Sequence, residues 1–180
     1  TSAEKALMFH RQNQDVFNSP CAPAIMRYTG VVYEHISWTS LSEKAKDFMD
    51  KYIYIFSGLF GLLSPTTPIP DYKLKMNVLS LQHHWNPILT NTLNDEDVII
   101  DLLPQVHRKA YTPNKNSVIP VDFLIVSKGK KTAAGHFGKA VKGEFIRYMA
   151  ENNITKTDEF SGFEYEGFKW DGTSFIKEEG

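Results

Sequence analysis

The segment from Ile53 to Met76, IYIFSGLFGLLSPTTPIPDYKLKM, constrains the fold more than any other stretch of the chain. An apolar, β-prone run, Tyr52 to Phe56, breaks at Ser57-Gly58, and a second glycine follows at Gly61. A proline-rich crossing (Pro65, Pro68, Pro70) then delivers Asp71, Tyr72, Lys73 and Lys75. A buried strand ending in a small-residue turn is where α/β proteins place binding sites, because glycine lets backbone N–H groups approach a ligand. The same residues also suffice for a strand, a turn and a proline-held loop with no ligand.

A chain of 180 residues can bury a sizeable core, and its 42% hydrophobic and 13% aromatic content fits a folded globular protein. No apolar run approaches the roughly 20 residues of a membrane span, and no secretory signal is visible. Cys21 is the only cysteine. An internal disulfide and a thiolate zinc cluster are therefore excluded, and a reducing, cytoplasmic setting is expected. The net charge of −1 conceals an asymmetry: between Gln105 and Ala150 there are nine Lys and Arg against Asp122 and Glu144. That stretch is +7 and the remainder −8. A local excess of this kind suits a polyanion, although lysines scattered over a solvated surface give the same count.

Patterning predicts helices over Glu4–Asn13, Ser40–Lys51 (with Ser40 or Ser42 as N-cap), Trp85–Leu93 and Phe137–Asn152, and a short one over Ile154–Phe160. Strands are expected at Tyr52–Phe56, Asp97–Leu103 and Val118–Val126, with Pro120 marking an edge or bulge and Ser127–Lys131 a turn. Asp171-Gly172 signals a closing hairpin between Phe163–Trp170 and Thr173–Lys177. The expectation is an α+β (mixed α/β) single domain, a mixed sheet flanked by helices with a C-terminal hairpin.

On the Phe137 helix, Val141, Phe145, Tyr148 and Met149 gather on one face that suits a core. Lys139, Gly143 and Arg147 fall opposite, with Lys142 on the flank. A helix glycine costs roughly 1 kcal/mol relative to alanine. Between two cations it can admit a phosphate backbone, or equally another packed element. Six histidines, among them the adjacent His83-His84, show no metal-binding spacing, so no metal site and no cofactor are expected.

The segment SGLFGLLSPTTPIPDYKLKM resembles the signature of the YaaA family of peroxide stress proteins, close to SGLYGLLRPLD-x-I-x-PYRLEM. Ser57, Gly58, Leu59, Gly61, Leu62, Leu63, Pro65, Ile69, Tyr72, Leu74 and Met76 match. Tyr28, Gly30, Val32 and Tyr33 resemble the family's Y-x-G-x-VY, and Lys139, Gly143 and Arg147 its KKARG-x-x-x-R helix. Trp85 stands where the family has a tryptophan, and Ser161-Gly162-Phe163 with Glu166-Gly167-Phe168 resemble the closing GF-x-x-x-GY. There are departures. The family's opening strand and SPAKT-like loop are absent, so the chain reads as a family domain lacking its N-terminal part. Ser64 and Lys73 replace arginines, and Asp101–His107 replaces NLAS-x-EY without its serine, glutamate and tyrosine.

The resemblance implies a cytoplasmic bacterial protein that binds DNA without sequence preference and limits iron-dependent oxidative damage. Lys130, Lys131, Lys139, Lys142, Gly143 and Arg147 would form the nucleic-acid surface. The alternative is an enzyme acting on a nucleotide or nucleobase, with a pocket of Ser57, Gly58, Gly61, Tyr72, Lys73 and Tyr33, and with Asp101 nearby. Direct iron binding is the third expectation and lacks a ligand set in the sequence.

Overall fold

A computed structural model describes residues 2–114 and 117–179; Lys115 of the basic stretch lies outside them. In chain order the elements are α1 (Ala3–Gln14), β1 (Ala22–Pro23), α2 (Ala24–Arg27), α3 (Val31–Ile36), α4 (Glu43–Tyr52), β2 (Ile55–Ser57), β3 (Gly61–Leu63) and β4 (Pro68–Ile69). They continue with α5 (Leu81–Leu93), β5 (Ile99–Asp101), α6 (Gln105–Arg108), β6 (Val118–Pro120), β7 (Phe123–Ser127), β8 (Lys130–Ala133), α7 (Gly135–Asn152), β9 (Lys169–Trp170) and β10 (Phe175–Glu179). The class is α+β. Its strands form a four-stranded mixed sheet, β8-β7-β10-β9, and three antiparallel or short pairs, β1-β4, β2-β3 and β5-β6. Among the described residues no helix is long and apolar enough to cross a membrane.

The chain divides into two compact units, each assembled from separated segments. The first takes residues up to Arg27, Ile53–Ile99 and Leu103–Val118. Its core packs Phe56, Met76, Leu89, Leu93, Ala110 and Tyr111, with Trp85 and Leu62 against them. The second takes Tyr28–Tyr52, Ile100–Leu102 and the chain from Ile119. There β7 and β10 run parallel, Phe123 beside Phe175, and their rings stack at 5.3 Å. Phe145 of α7 joins them from above, 4.7 Å from Phe175 and 4.9 Å from Phe160. Phe145, Phe160, Phe168 and Phe175 are all fully buried, each contributing about 1.5–3 kcal/mol through removal from water.

Local chemistry explains the boundaries. Ser42 caps α4, its hydroxyl accepting the Ala45 N–H at 3.2 Å, and Ala45, Phe48 and Met49 bury the inner face. That amphipathic run carries the helix through Tyr52, whose ring packs on Phe48 at 4.9 Å. The strand expected from Tyr52 therefore starts only at Ile55. The Val118–Val126 run is two strands, because the chain turns at Val121, whose N–H donates to the Asp101 carbonyl at 3.0 Å. Ser127–Lys131 is the centre of a hairpin whose second strand, β8, carried no apolar alternation to reveal it. Its two-residue loop, Lys128-Gly129, has both φ values positive (51° and 75°), the conformation a tight hairpin of twisted strands requires. The short helix expected at Ile154–Phe160 is a 3₁₀ turn at Thr157–Gly162.

The closing hairpin forms as the Asp-Gly signal implied, Trp170 opposite Phe175. Asp171 organises its loop, accepting hydrogen bonds from Thr173 N–H (2.9 Å), Thr173 hydroxyl (2.8 Å) and Ser174 N–H (2.8 Å), with Lys131 Nζ at 3.0 Å. The backbone donors, first Ser174 then Thr173, hold its carboxyl well below the usual range. Since the native carboxyl titrates lower than the unfolded one, its stabilisation is complete above about pH 4 and is lost as pH falls toward the native value. Asp171→Asn should lower stability at neutral pH and flatten the acid limb of the urea midpoint measured between about pH 5 and 2, a range set by that titration.

Candidate functional site

Of the residues expected to form a pocket, Ser57, Gly58, Gly61 and Tyr72 gather around the β2–β3 turn of the first unit. Ser57, 1% exposed, closes β2. Its hydroxyl accepts the N–H groups of Leu59 (3.2 Å) and Phe60 (2.8 Å), a serine turn that bends the chain back into β3. The Tyr72 hydroxyl lies 2.6 Å from the same oxygen, and the Tyr72 ring meets Phe60 edge-on at 5.4 Å. Gly58 lies where a Cβ would come within 2.6 Å of the Leu74 carbonyl. Gly61 combines φ +75° with the Trp85 ring seated directly over it, and the indole N–H donates to the Gly58 carbonyl at 3.0 Å. Lys73 is held by its backbone: Asn13 of α1 accepts its N–H at 2.8 Å and donates to its carbonyl at 3.0 Å. Tyr33 lies in α3 of the second unit, stacked on Tyr28 at 5.6 Å.

The cluster at Ser57 is therefore a saturated hydrogen-bond network inside a turn. A hydroxyl that already accepts two N–H groups and pairs with a phenol has its bonding capacity filled. Asp101 is buried in the second unit, 6% exposed. His107, which stands where the family pattern has tyrosine, is pushed toward the neutral form by burial.

The cationic face of α7 lies in the second unit. Gly143 is buried where α7 crosses α3: a Cβ there would sit 2.6 Å from the Cβ of His35 and also meet the Val32 carbonyl. Of the two readings of this glycine, the structure shows helix packing. Arg147 donates to the carbonyl of Ile36 at 3.1 Å and to the Ser40 hydroxyl at 2.8 Å, covering the C-terminal end of α3. Lys142 donates to the Leu102 carbonyl. His35 and Glu144 pair at 2.9 Å beside Gly143. Glu151 accepts the Ser42 N–H (3.2 Å) and hydroxyl (2.7 Å); those bonds, more than Arg147 at 3.6 Å, hold its carboxyl below the usual range. A shallow groove of about 310 Å³ runs beside these groups, lined by Glu144, Arg147, Tyr148, Glu151 and Gly162–Tyr165. Burial and the charge of Glu144 raise the Tyr165 phenol above its ordinary value. With three carboxylates and one guanidinium, the groove is acidic.

Lys130, Lys131 and Lys139 are exposed, as is Lys128, which the expected surface omitted. Three of these four lie on the β7–β8 hairpin, Lys128 in its loop and Lys130 and Lys131 in edge strand β8. Lys131 also reaches Asp171. Among the described residues no group of three or more His, Cys, Asp or Glu is placed to hold a metal ion.

The family model for peroxide stress protein YaaA matches residues 1–174, taking in the turn, the α3–α7 crossing and the hairpin together. The chain belongs to the YaaA family. A UPF0246 protein of Lactobacillus acidophilus is 30% identical over 167 residues, covering 87% of this chain and 66% of that protein's length. Within this YaaA-family chain the two family motifs are turn and helix junction first. The Asn13 clamp and the Arg147 cap were out of reach of sequence patterning, since their partners are 60 and 111 residues away.

Two substitutions separate packing from ligand contact. Ser57→Ala should cost about 1–3 kcal/mol in urea unfolding, by removing the acceptor of the Leu59 and Phe60 N–H groups inside the turn. Gly143→Ala should also lose about 1–3 kcal/mol, overriding the roughly 1 kcal/mol helix-propensity gain, because the added methyl meets the α3 backbone. A Gly143→Ala protein of unchanged or raised stability would show that α3 does not press on this position.

Proposed function

We propose that this YaaA-family protein serves peroxide stress in the cytoplasm by binding DNA without sequence preference and limiting iron-dependent damage to it. The observation that carries this reading is the β7–β8 hairpin, which presents Lys128 of its tight loop and Lys130 and Lys131 at the start of β8 in solvent. Lys139 is exposed in the first turns of α7, within the same +7 stretch. Flexible ammonium groups on an exposed hairpin contact phosphates as point charges, without reading base edges. Lys142, Gly143 and Arg147 support the surface from within by fixing α7, and are not its phosphate contacts. Bound protein would shield the duplex from radicals generated at iron on the phosphate backbone.

Fluorescence anisotropy with a mixed-sequence duplex tests the reading. Affinity should fall steeply with salt, and Lys128→Glu/Lys130→Glu/Lys139→Glu should weaken binding at least about tenfold while lowering the salt slope by roughly one per contact removed. Wild-type protein, and not the triple variant, should slow plasmid nicking by ferrous iron and peroxide. Absence of binding at low salt, or binding indifferent to the triple variant, overturns the proposal.

A further inference from the structure

Lys130 and Lys131 are neighbours in β8 with closely matched surroundings. Both are exposed. Lys130 lies opposite Ser127 and Lys131 opposite Val126, and beyond these, in β10, stand Glu179 and Glu178. Each lysine thus has one glutamate two strands away, roughly 10 Å off. Successive strand residues point to opposite faces. Lys130 shares the face of Phe123, whose ring meets Phe145 of α7, and Lys131 points to the reverse. What separates the two is Asp171. Its Oδ2 lies 3.0 Å from Lys131 Nζ. Among the described residues no carboxylate lies within ion-pair distance of Lys128, Lys130 or Lys139.

The two partners of this bridge are unequal in freedom. Asp171 is fixed before the lysine arrives: the Thr173 and Ser174 N–H groups and the Thr173 hydroxyl all donate to its Oδ1. Its side chain is 23% exposed, against 52% for Lys131. Those backbone donors hold its carboxyl well below the usual range, so it is ionised at neutral pH. Exposed ion pairs are commonly weak because two long side chains must be ordered; here only the lysine is. A phosphate that took Lys131 would strand the Asp171 charge without its cation. We propose that Asp171 withholds Lys131 from the phosphate surface, so that the hairpin engages DNA through Lys128 and Lys130 and the bridge limits its cationic contacts. The inference rests on the DNA-binding reading above. Asp171 acts through Lys131 as a positioning residue and touches no phosphate itself.

Fluorescence anisotropy of the full chain with a mixed-sequence duplex, across a salt series, tests this. Lys130→Met should weaken low-salt binding about fivefold and lower the salt slope by roughly one. Lys131→Met should weaken it less than about twofold, by baring the Asp171 charge, without lowering the slope. Asp171→Asn keeps an Oδ1 acceptor for Thr173 and Ser174 and removes the charge. It should tighten binding about fivefold and raise the slope by roughly one. In that background Lys131→Met should cost as much as Lys130→Met. Mere loss of an acidic charge predicts the same Lys131→Met effect in both backgrounds, and that result overturns the proposal. So does equal cost of Lys131→Met and Lys130→Met in the wild type, a comparison that decides the matter even where Asp171→Asn fails to fold. A wild type indifferent to the duplex at low salt overturns the DNA-binding reading and this inference together. Binding that is lost in the Lys128→Glu/Lys130→Glu/Lys139→Glu variant, with Lys130 and Lys131 contributing alike, overturns this inference alone.

Discussion

The crossing of α3 and α7 at Gly143 is the constraint on which the second unit depends. Two backbones approach so closely there that a methyl group has no room, and the surrounding polar groups are arranged to hold the approach. His35 pairs with Glu144 on one side, and Arg147 caps the end of α3 on the other. One turn further, Glu151 reaches Ser42, whose hydroxyl also starts α4. A single stretch of α7 thus fixes the end of one helix and the beginning of the next, while its opposite face supplies Phe145 to the aromatic core.

In the first unit the same economy appears in a turn. Ser57 orders the loop between β2 and β3 through its hydroxyl, and Tyr72 returns from the proline-rich crossing to join that oxygen. The prolines and glycines that looked like a ligand-binding loop serve to bring the chain back onto its own strand end. Hydroxyls placed this way are costly to remove and have little capacity for a substrate.

Much of the architecture was legible because it rests on local signals. Ser42 before an Ala45/Phe48/Met49 stripe, the long Phe137 helix and the Asp171-Gly172 hairpin each carry their instruction within a few residues. Tyr52 misled because β-prone aromatics extended an apolar run across a helix end that tertiary packing had claimed. β8 escaped because Lys130 to Ala133 lies exposed at a sheet edge, where lysine guards against pairing and no alternation is needed. The α7 wheel assigned the right core face, but a wheel treats whatever lies opposite the core as solvent. It has no means of seeing that α3, more than a hundred residues earlier, covers Gly143. Charge counts share that blindness: Arg147 and Lys128 add equally to the basic stretch, yet one caps backbone carbonyls and the other extends from a loop.

Trp85 gives the turn one further property. Its ring occupies the space above Gly61, and its N–H is held by the carbonyl of Gly58. The loop and α5 are therefore locked as cap and seat. Any side chain larger than hydrogen at Gly61 must evict the indole, and any smaller residue at Trp85 uncovers the loop. A change at either place therefore disturbs the other, and the turn and the helix above it hold their shapes jointly.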